Sequence, residues 1–195
     1  MKTGKQLTGI LALLGVVALG GLAITDAFAA LCVWRNPDAD IKEYFGGGSY
    51  RTVLVKVGSK RAAIEKKIGV KLDADETELK FWPVIRGGKR VGTVASHLGK
   101  GDYGAVEVVI AIVDPADGPA KIKGVKIQRD RERYRSALRS AKFLDQFKGK
   151  TAKSVLEVGK DIKLAHPKAV RASKIVALSV KKMLVGYEQL GIARR

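Results

Sequence analysis

The chain is poor in the residues that build disulfides and metal centres. Cys32 is the only cysteine among 195 residues, which excludes an intramolecular disulfide and any metal cluster held by several thiolates. Histidine occurs twice, and His97 has no cysteine or carboxylate neighbour at the spacing of a ligand set. We therefore predict that His97 is a loop residue. The sequence indicates no catalytic triad, no paired-carboxylate site and no metal site.

Acidic residues are scarce relative to basic ones. There are 19 Asp and Glu residues against 37 Lys and Arg, so the formal net charge is +18 and the pI is about 10.1. In a cytoplasmic protein this charge would suggest nucleic acid as the partner, because Lys and Arg neutralise phosphates regardless of base sequence. The interpretation therefore depends on the compartment.

The N-terminal residues predict export. Positions 7–24 form an uncharged apolar run directly after Lys2 and Lys5. This pattern is typical of a membrane anchor or of a cleaved signal peptide, and Ala27-Phe28-Ala29 fits a cleavage site. Because the run nearly spans a bilayer, a retained anchor in the inner membrane is favoured over signal cleavage. Both alternatives place residues 30–195 in the periplasm, so we expect no nucleic-acid partner.

The predicted exported part is also strongly basic. Without residues 1–29, the chain keeps 35 basic and 18 acidic residues, a net charge of +17. Such a surface suits an acidic protein or an anionic membrane surface as partner. Pro37 and the triple glycine at 46–48 indicate a linker over residues 30–49. The folded domain is predicted to occupy residues 50–195.

The middle of the chain predicts an antiparallel sheet. Gly87 and Gly88 join two strand-like segments as a hairpin, because both glycines accept positive φ. Residues 103–113 have apolar side chains on both faces, and residues 121–129 predict a partner strand after a short turn. The connections are too short for crossovers. The predicted fold class is α+β: a twisted antiparallel meander with short flanking helices and a C-terminal amphipathic helix, preceded by one N-terminal hydrophobic helix.

Two segments are candidates for binding an anionic group. In residues 97–104, a glycine-rich turn could cradle an anion with its backbone amides, with charge added by Lys100; an ordinary hairpin loop is the alternative. In residues 129–139, five arginines exceed what solubility requires, and we predict a docking patch for an anionic partner rather than a merely solvated face. These arginines are Arg129, Arg131, Arg133, Arg135 and Arg139.

The order of segments resembles the FMN-binding domain family. Residues 71–129 hold the strands, "FLDQFKGK" follows at 143–150, and "VGKDIK" at 158–163 leads to the closing helix. Members of this family include the periplasmic flavin subunits of Rnf and Na⁺-pumping quinone reductase complexes and the sensor portion of the nitrous oxide regulator. The resemblance covers residues 38–190. It implies an extracytoplasmic α+β domain that carries FMN as an electron relay.

The chain departs from the family where the flavin attaches. The family has a Ser-Gly-Ala-Thr-x-Ser/Thr loop whose threonine takes FMN through a phosphoester bond. Here the segment "HPKAVRASK" places Ala169 or Val170 at that position, and neither has a hydroxyl. Ser173 matches the trailing serine of the family and is predicted to cap the C-terminal helix. We therefore predict no covalent flavin.

Two functions remain open. The favoured one is an accessory or docking subunit of a membrane-bound redox complex that holds an acidic partner such as a c-type cytochrome and is not itself a catalyst. The alternative is a periplasmic electron-relay flavoprotein that binds FMN noncovalently at the helix start, where free amides and the helix dipole favour a phosphate. The residues of this FMN or anion site would be Lys168, Arg171, Ser173, Lys174, Lys100 and Gly101.

Overall fold

The structure is a computed structural model that describes residues 36–194. The apolar run at 7–24, predicted to be an anchor or signal, lies outside the described residues. The strands are β1 (Ser49–Tyr50), β2 (Val53–Lys56), β3 (Glu78–Arg86), β4 (Lys89–Lys100), β5 (Ala105–Val113) and β6 (Lys121–Arg129). The α-helices are α1 (Asp38–Phe45), α2 (Arg61–Ile68), α3 (Arg135–Leu138), α4 (Ala141–Leu144) and α5 (Val170–Gln189). None of the helices within residues 36–194 is long and apolar enough to span a bilayer.

The six strands form one antiparallel sheet. The order is β1-β3-β4-β5-β6, and β2 pairs with β3 beside β1. Gly87 and Gly88 connect β3 to β4 with φ of 58° and 73°, the left-handed values that a two-residue hairpin turn requires. The predicted α+β class, the antiparallel meander and this hairpin are therefore confirmed.

Strand β5 is buried on both faces. Its even-numbered residues, including Val108 and Ile110, belong to the main core. Its odd-numbered residues Val109 and Ala111 belong to a second apolar cluster on the opposite face. Because successive side chains of a strand point to opposite faces, a strand that is buried on both faces requires a continuous apolar sequence such as this one. The predicted strand with apolar side chains on both faces is therefore confirmed, and it lies between β4 and β6.

Helix α5 covers the main core with 20 residues. Val176, Val180 and Met183 lie on its buried side, as the amphipathic pattern predicts. A Cβ at Gly99 of β4 would lie 2.4 Å from Cγ2 of Ile175, closer than any real contact. Glycine at this position therefore allows the helix to pack directly on the strand.

Helix α1 lies in the stretch predicted to be a linker. Ile41 and Phe45, one turn apart, are buried against the second apolar cluster. Gly46 ends the helix in the left-handed conformation, with φ of 71°. Eight residues are too few to display a convincing helical period, so the neighbouring glycines dominated the interpretation. The folded domain therefore begins before residue 50.

Candidate functional site

The arginine segment begins at the last residue of β6 and leads through a turn to α3, with exposed and buried residues in alternation. Arg129, Arg131 and Arg133 are exposed, whereas Asp130 and Glu132 between them are only 8% and 5% exposed. Three arginines therefore face solvent and two acids face the protein, and the amide of Glu132 donates a hydrogen bond to Oδ1 of Asp130 at 3.1 Å. We call Arg129, Arg131 and Arg133 the arginine row.

Asp130 anchors one part of this segment. Its Oδ2 accepts a hydrogen bond from Nε of Arg139 at 2.7 Å and lies 2.6 Å from Nη2 of the same guanidinium, and its Oδ1 lies 4.0 Å from Nε of Arg135. Two of the five predicted docking arginines are therefore engaged within the chain. Across residues 36–194, by contrast, neither Arg129 nor Arg131 forms an ion pair.

Glu132 anchors the other part by filling the glycine-rich turn. Its Oε1 accepts hydrogen bonds from the backbone amides of Asp102 and Tyr103 at 2.9 and 3.3 Å. A Cβ at Gly101 would lie 2.2 Å from the same oxygen, so glycine is needed for this approach. The amides that were predicted to cradle an external anion thus hold a carboxylate of the chain itself. The nearby Lys100 ammonium pairs with Asp73 at 3.3 Å.

The start of α5 differs from the predicted one. The helix begins at Val170 with Ala169 as N-cap, so the prediction that Ser173 caps it is wrong. Ala169 and Ala172 are buried, which extends the apolar face upstream of Ser173. The Ser173 hydroxyl donates to the Ala169 carbonyl at 2.7 Å and accepts from the Ala165 amide at 3.2 Å. With 0% exposure, it has no open side to accept a phosphoester.

The cations of the helix start remain at the surface. Lys168, Arg171 and Lys174 are exposed, and Ala169 supplies no side-chain cap to the first turn of α5. Nη1 of Arg171 lies 3.2 Å from Oδ1 of Asp102, which partly neutralises it. The helix start and the glycine-rich turn are therefore in contact.

The arginine segment and the helix start also meet. The ring of Tyr134 stacks on that of His166 with centroids 4.4 Å apart and an interplanar angle of 11°. The guanidinium of Arg133 lies 5.8 Å from the Tyr134 ring centroid. The Arg131 side chain also passes close to the glycine-rich turn, because a Cβ atom at Gly104 would lie 3.8 Å from Cδ of Arg131. We call the arginine row together with Lys168 and Arg171 the basic surface.

One exposed aromatic residue borders the basic surface. Tyr103, in the turn that Glu132 holds, is 56% exposed. Tyrosine and arginine are the residue types enriched at binding hot spots, because each combines a large contact area with polar groups. The composition of this surface is therefore that of an interface as well as that of a charged patch.

A buried polar cluster escaped the sequence prediction. His97 lies in β4 and not in a loop, and its Nε2 is 2.6 Å from Oε1 of Glu76 while its Nδ1 is 2.9 Å from Oγ of Ser179. The ammonium of Lys182 lies 2.7 Å from both carboxylate oxygens of Glu76. The prediction that His97 is a loop residue is thus wrong. We call Glu76, His97, Ser179 and Lys182 the buried cluster.

The buried cluster stabilises charge and is not a catalytic site. The Ser179 hydroxyl, the His97 imidazole and the Glu76 carboxylate are connected in the order of a nucleophilic triad. Ser179 of α5, however, is only 1% exposed and packs against Gly99 of β4. Burial raises the pKa of Glu76, but hydrogen bonds from His97, Lys182 and the Asp73 amide outweigh it and lower the pKa to about 2. Glu76 is therefore a permanent anion at neutral pH.

Metal binding has no support in the part of the chain that the structure describes. Residues 36–194 contain no group of three His, Cys, Asp or Glu side chains arranged to hold an ion.

Neither a protein-family model nor a curated protein matches the chain.

Proposed function

We propose that the chain is an extracytoplasmic docking subunit of a membrane-bound electron-transfer complex. Its scaffold would be of the FMN-binding type without covalent flavin, and its partner an acidic redox protein of the c-type cytochrome kind. The observation that carries the proposal is the basic surface. The arginine segment and the start of α5, which are separated along the sequence, meet through the Tyr134–His166 stack. Both also contact the glycine-rich turn, the first through Glu132 and the second through the Arg171–Asp102 pair.

Electrostatics supports a docking role for this surface. Exposed arginines contribute little to folding, because water and salt screen them. They do accelerate encounter with an oppositely charged partner and orient it. The excess of basic over acidic residues in the chain gives the same preference for an acidic partner. A docking role therefore accounts for exposed arginines that the stability of the fold does not require.

Reversing charge in the arginine row tests the proposal. In the variant Arg131→Glu with Arg133→Glu, we expect association with the native partner to weaken roughly tenfold to a hundredfold at low salt, because attraction becomes repulsion. The measurement is capture of companion proteins from native membranes in a gentle detergent, quantified by mass spectrometry at several salt concentrations.

The matched control is Lys89→Glu with Lys121→Glu. Both lysines are exposed and lie at the opposite end of strands β4 and β6 from Lys100 and Arg129, so net charge changes equally. This control variant should capture the same companion proteins in the same amounts as the native sequence. Capture that ignores the reversal of the row, or that falls equally in both variants, would remove the basic surface as the docking site.

A second function, noncovalent FMN binding for electron relay, has one observation in its favour. The first turn of α5 has no side-chain cap and is surrounded by Lys168, Arg171 and Lys174, an arrangement that suits a phosphate. Against it, Arg171 already pairs with Asp102, and the amides near Gly101 already bind Glu132. We therefore rank this function second.

The flavin question has a direct measurement. We expect protein purified from its native host to lack flavin absorbance, and its intact mass after denaturation to match the polypeptide with or without residues 1–29. The physical reason is that Ala169 and Val170 have no hydroxyl and that of Ser173 is sealed. Yellow protein whose colour is lost on denaturation would support the second function. An added FMN mass on residues 161–184 would contradict both the predicted absence of attachment and the preferred function.

A further inference from the structure

We infer that Tyr103 is the apolar anchor of the basic surface, and that the docking partner offers it an apolar patch framed by carboxylates. This inference rests on the proposed docking function and specifies the chemistry of the partner. At 56%, Tyr103 is the most exposed of the large hydrophobic residues that the structure describes. A single exposed aromatic residue needs no explanation by itself, so its position and its support decide its role.

Tyr103 lies in the turn that contacts both parts of the basic surface. Its neighbour Asp102 pairs with Arg171 of the helix start at 3.2 Å. Its other neighbour, Gly104, lies beside the arginine row, because a Cβ atom there would be 3.8 Å from Cδ of Arg131. The tyrosine is therefore surrounded by cations that come from two separate segments of the chain.

The turn is held in place before any partner arrives. Oε1 of the buried Glu132 accepts hydrogen bonds from the amides of Asp102 and Tyr103 at 2.9 and 3.3 Å. The Gly101 amide donates to the Gly104 carbonyl at 2.7 Å and closes the turn. The backbone that carries the tyrosine is thus fixed while the side chain stays in solvent. Preorganisation of this kind increases affinity, because little backbone order has to be gained on binding.

The arrangement has the composition of a binding hot spot. Tyrosine and arginine are the residue types enriched at such sites, where a central residue is surrounded by contacts that exclude water. A tyrosine ring buries a large apolar area, and the arginines around it bind carboxylates through paired N–H donors. The complementary partner therefore places an apolar patch against Tyr103 and carboxylates around that patch.

Two synthetic peptides of equal length and charge test the inference on the full chain. Both carry the same run of Asp residues on either side of a short centre, which is Leu-Phe-Leu in one and Ser-Ser-Ser in the other. Binding is followed by fluorescence anisotropy. We expect the apolar centre to strengthen binding by about tenfold, because it removes the Tyr103 ring from water. Added salt should weaken both complexes and leave their ratio unchanged, because salt screens charges and not apolar contacts.

Two substitutions that leave the charge unchanged assign this preference to one residue. In Tyr103→Ala, the two peptides should bind with nearly equal affinity, because the apolar contact is lost while the arginines remain. Leu54→Ala is the matched control. Leu54 is 52% exposed, but it lies in β2, at the opposite edge of the sheet from β6. This control should keep the full preference for the apolar centre.

The support of the turn gives an independent test. A Cβ atom at Gly101 would overlap Oε1 of Glu132, so Gly101→Ala displaces the carboxylate from the turn without changing the charge. We expect the preference for the apolar centre to fall severalfold although Tyr103 is still present. Circular dichroism confirms folding, and Tyr103→Ala, a change at an exposed side chain, decides the question if Gly101→Ala does not fold.

The outcomes separate this inference from the docking function. Equal binding of both peptides, binding of neither, or an undiminished preference in Tyr103→Ala or in folded Gly101→Ala would overturn it. Capture of companion proteins by the charge-reversed arginine row tests docking itself and is independent of the peptides. Tyr103-dependent binding to vesicles of anionic lipid, without a preference between the peptides, would overturn the inference and assign the tyrosine to a membrane surface.

Discussion

Replacement of Lys182 by methionine is expected to lower the free energy of unfolding by about 3–5 kcal/mol. The substitution keeps most of the side-chain volume but removes the ammonium that lies 2.7 Å from both oxygens of Glu76. A carboxylate that is 14% exposed would then be left with His97 and the Asp73 amide as its remaining partners. Urea unfolding followed by circular dichroism measures the change.

Two comparisons identify the cause of that loss. Adding Glu76→Gln to Lys182→Met removes the orphaned charge, so the double variant should regain most of the lost stability. Lys148→Met removes an equally short pair with Asp145, but both side chains are more than half exposed, so stability should change by less than about 1 kcal/mol. A double variant as unstable as the single one would show that packing, not charge, is responsible.

Acidification should destabilise the domain through the same carboxylate. The pKa of Glu76 is lowered from an ordinary 4.5 to about 2 by its hydrogen bonds, despite the opposing effect of burial. A group whose pKa falls on folding contributes stability that is complete above its unfolded pKa. Here that contribution is lost as pH falls from about 4.5 towards 2, and it amounts to about 3 kcal/mol.

Unfolding free energies of the native sequence and of Glu76→Gln at several pH values between 7 and 2 measure this contribution. The native sequence should lose more stability than the variant across that window, and the two curves should run parallel above pH 5. Parallel curves through the whole range would mean that Glu76 does not carry the acid sensitivity.

Local sequence patterns predicted most of the sheet. The hairpin at Gly87 and Gly88 depends on two neighbouring residues. The burial of β5 on both faces follows from the apolar residues at both its even and its odd positions. The long α5 displays its period over 20 residues. Helix α1 was missed because only Ile41 and Phe45 mark its buried side, and a short helix gains its stability from tertiary packing.

The candidate site was only partly predictable. The excess of arginine in 129–139 was visible, but the inward direction of Asp130 and Glu132 depends on partners elsewhere in the fold. The buried cluster had no local signal at all, because His97 is separated from Glu76 by 21 residues and from Ser179 by 82. Ser179 and Lys182 reach His97 and Glu76 only when α5 packs on the sheet.

The position of α5 in the chain determines when the domain can fold. All six strands are synthesised before this helix, yet Phe81, Val108 and Ile110 face the core that it completes. Until residues 170–189 have left the ribosome, the part of this apolar face that α5 covers stays exposed, although Ile64 and Phe143 of the same core are already present. A nascent chain in that condition exposes apolar strands that can associate with other chains. Completion of the main core therefore has to await the synthesis of α5, and a holding chaperone would be of most use to the chain before that point.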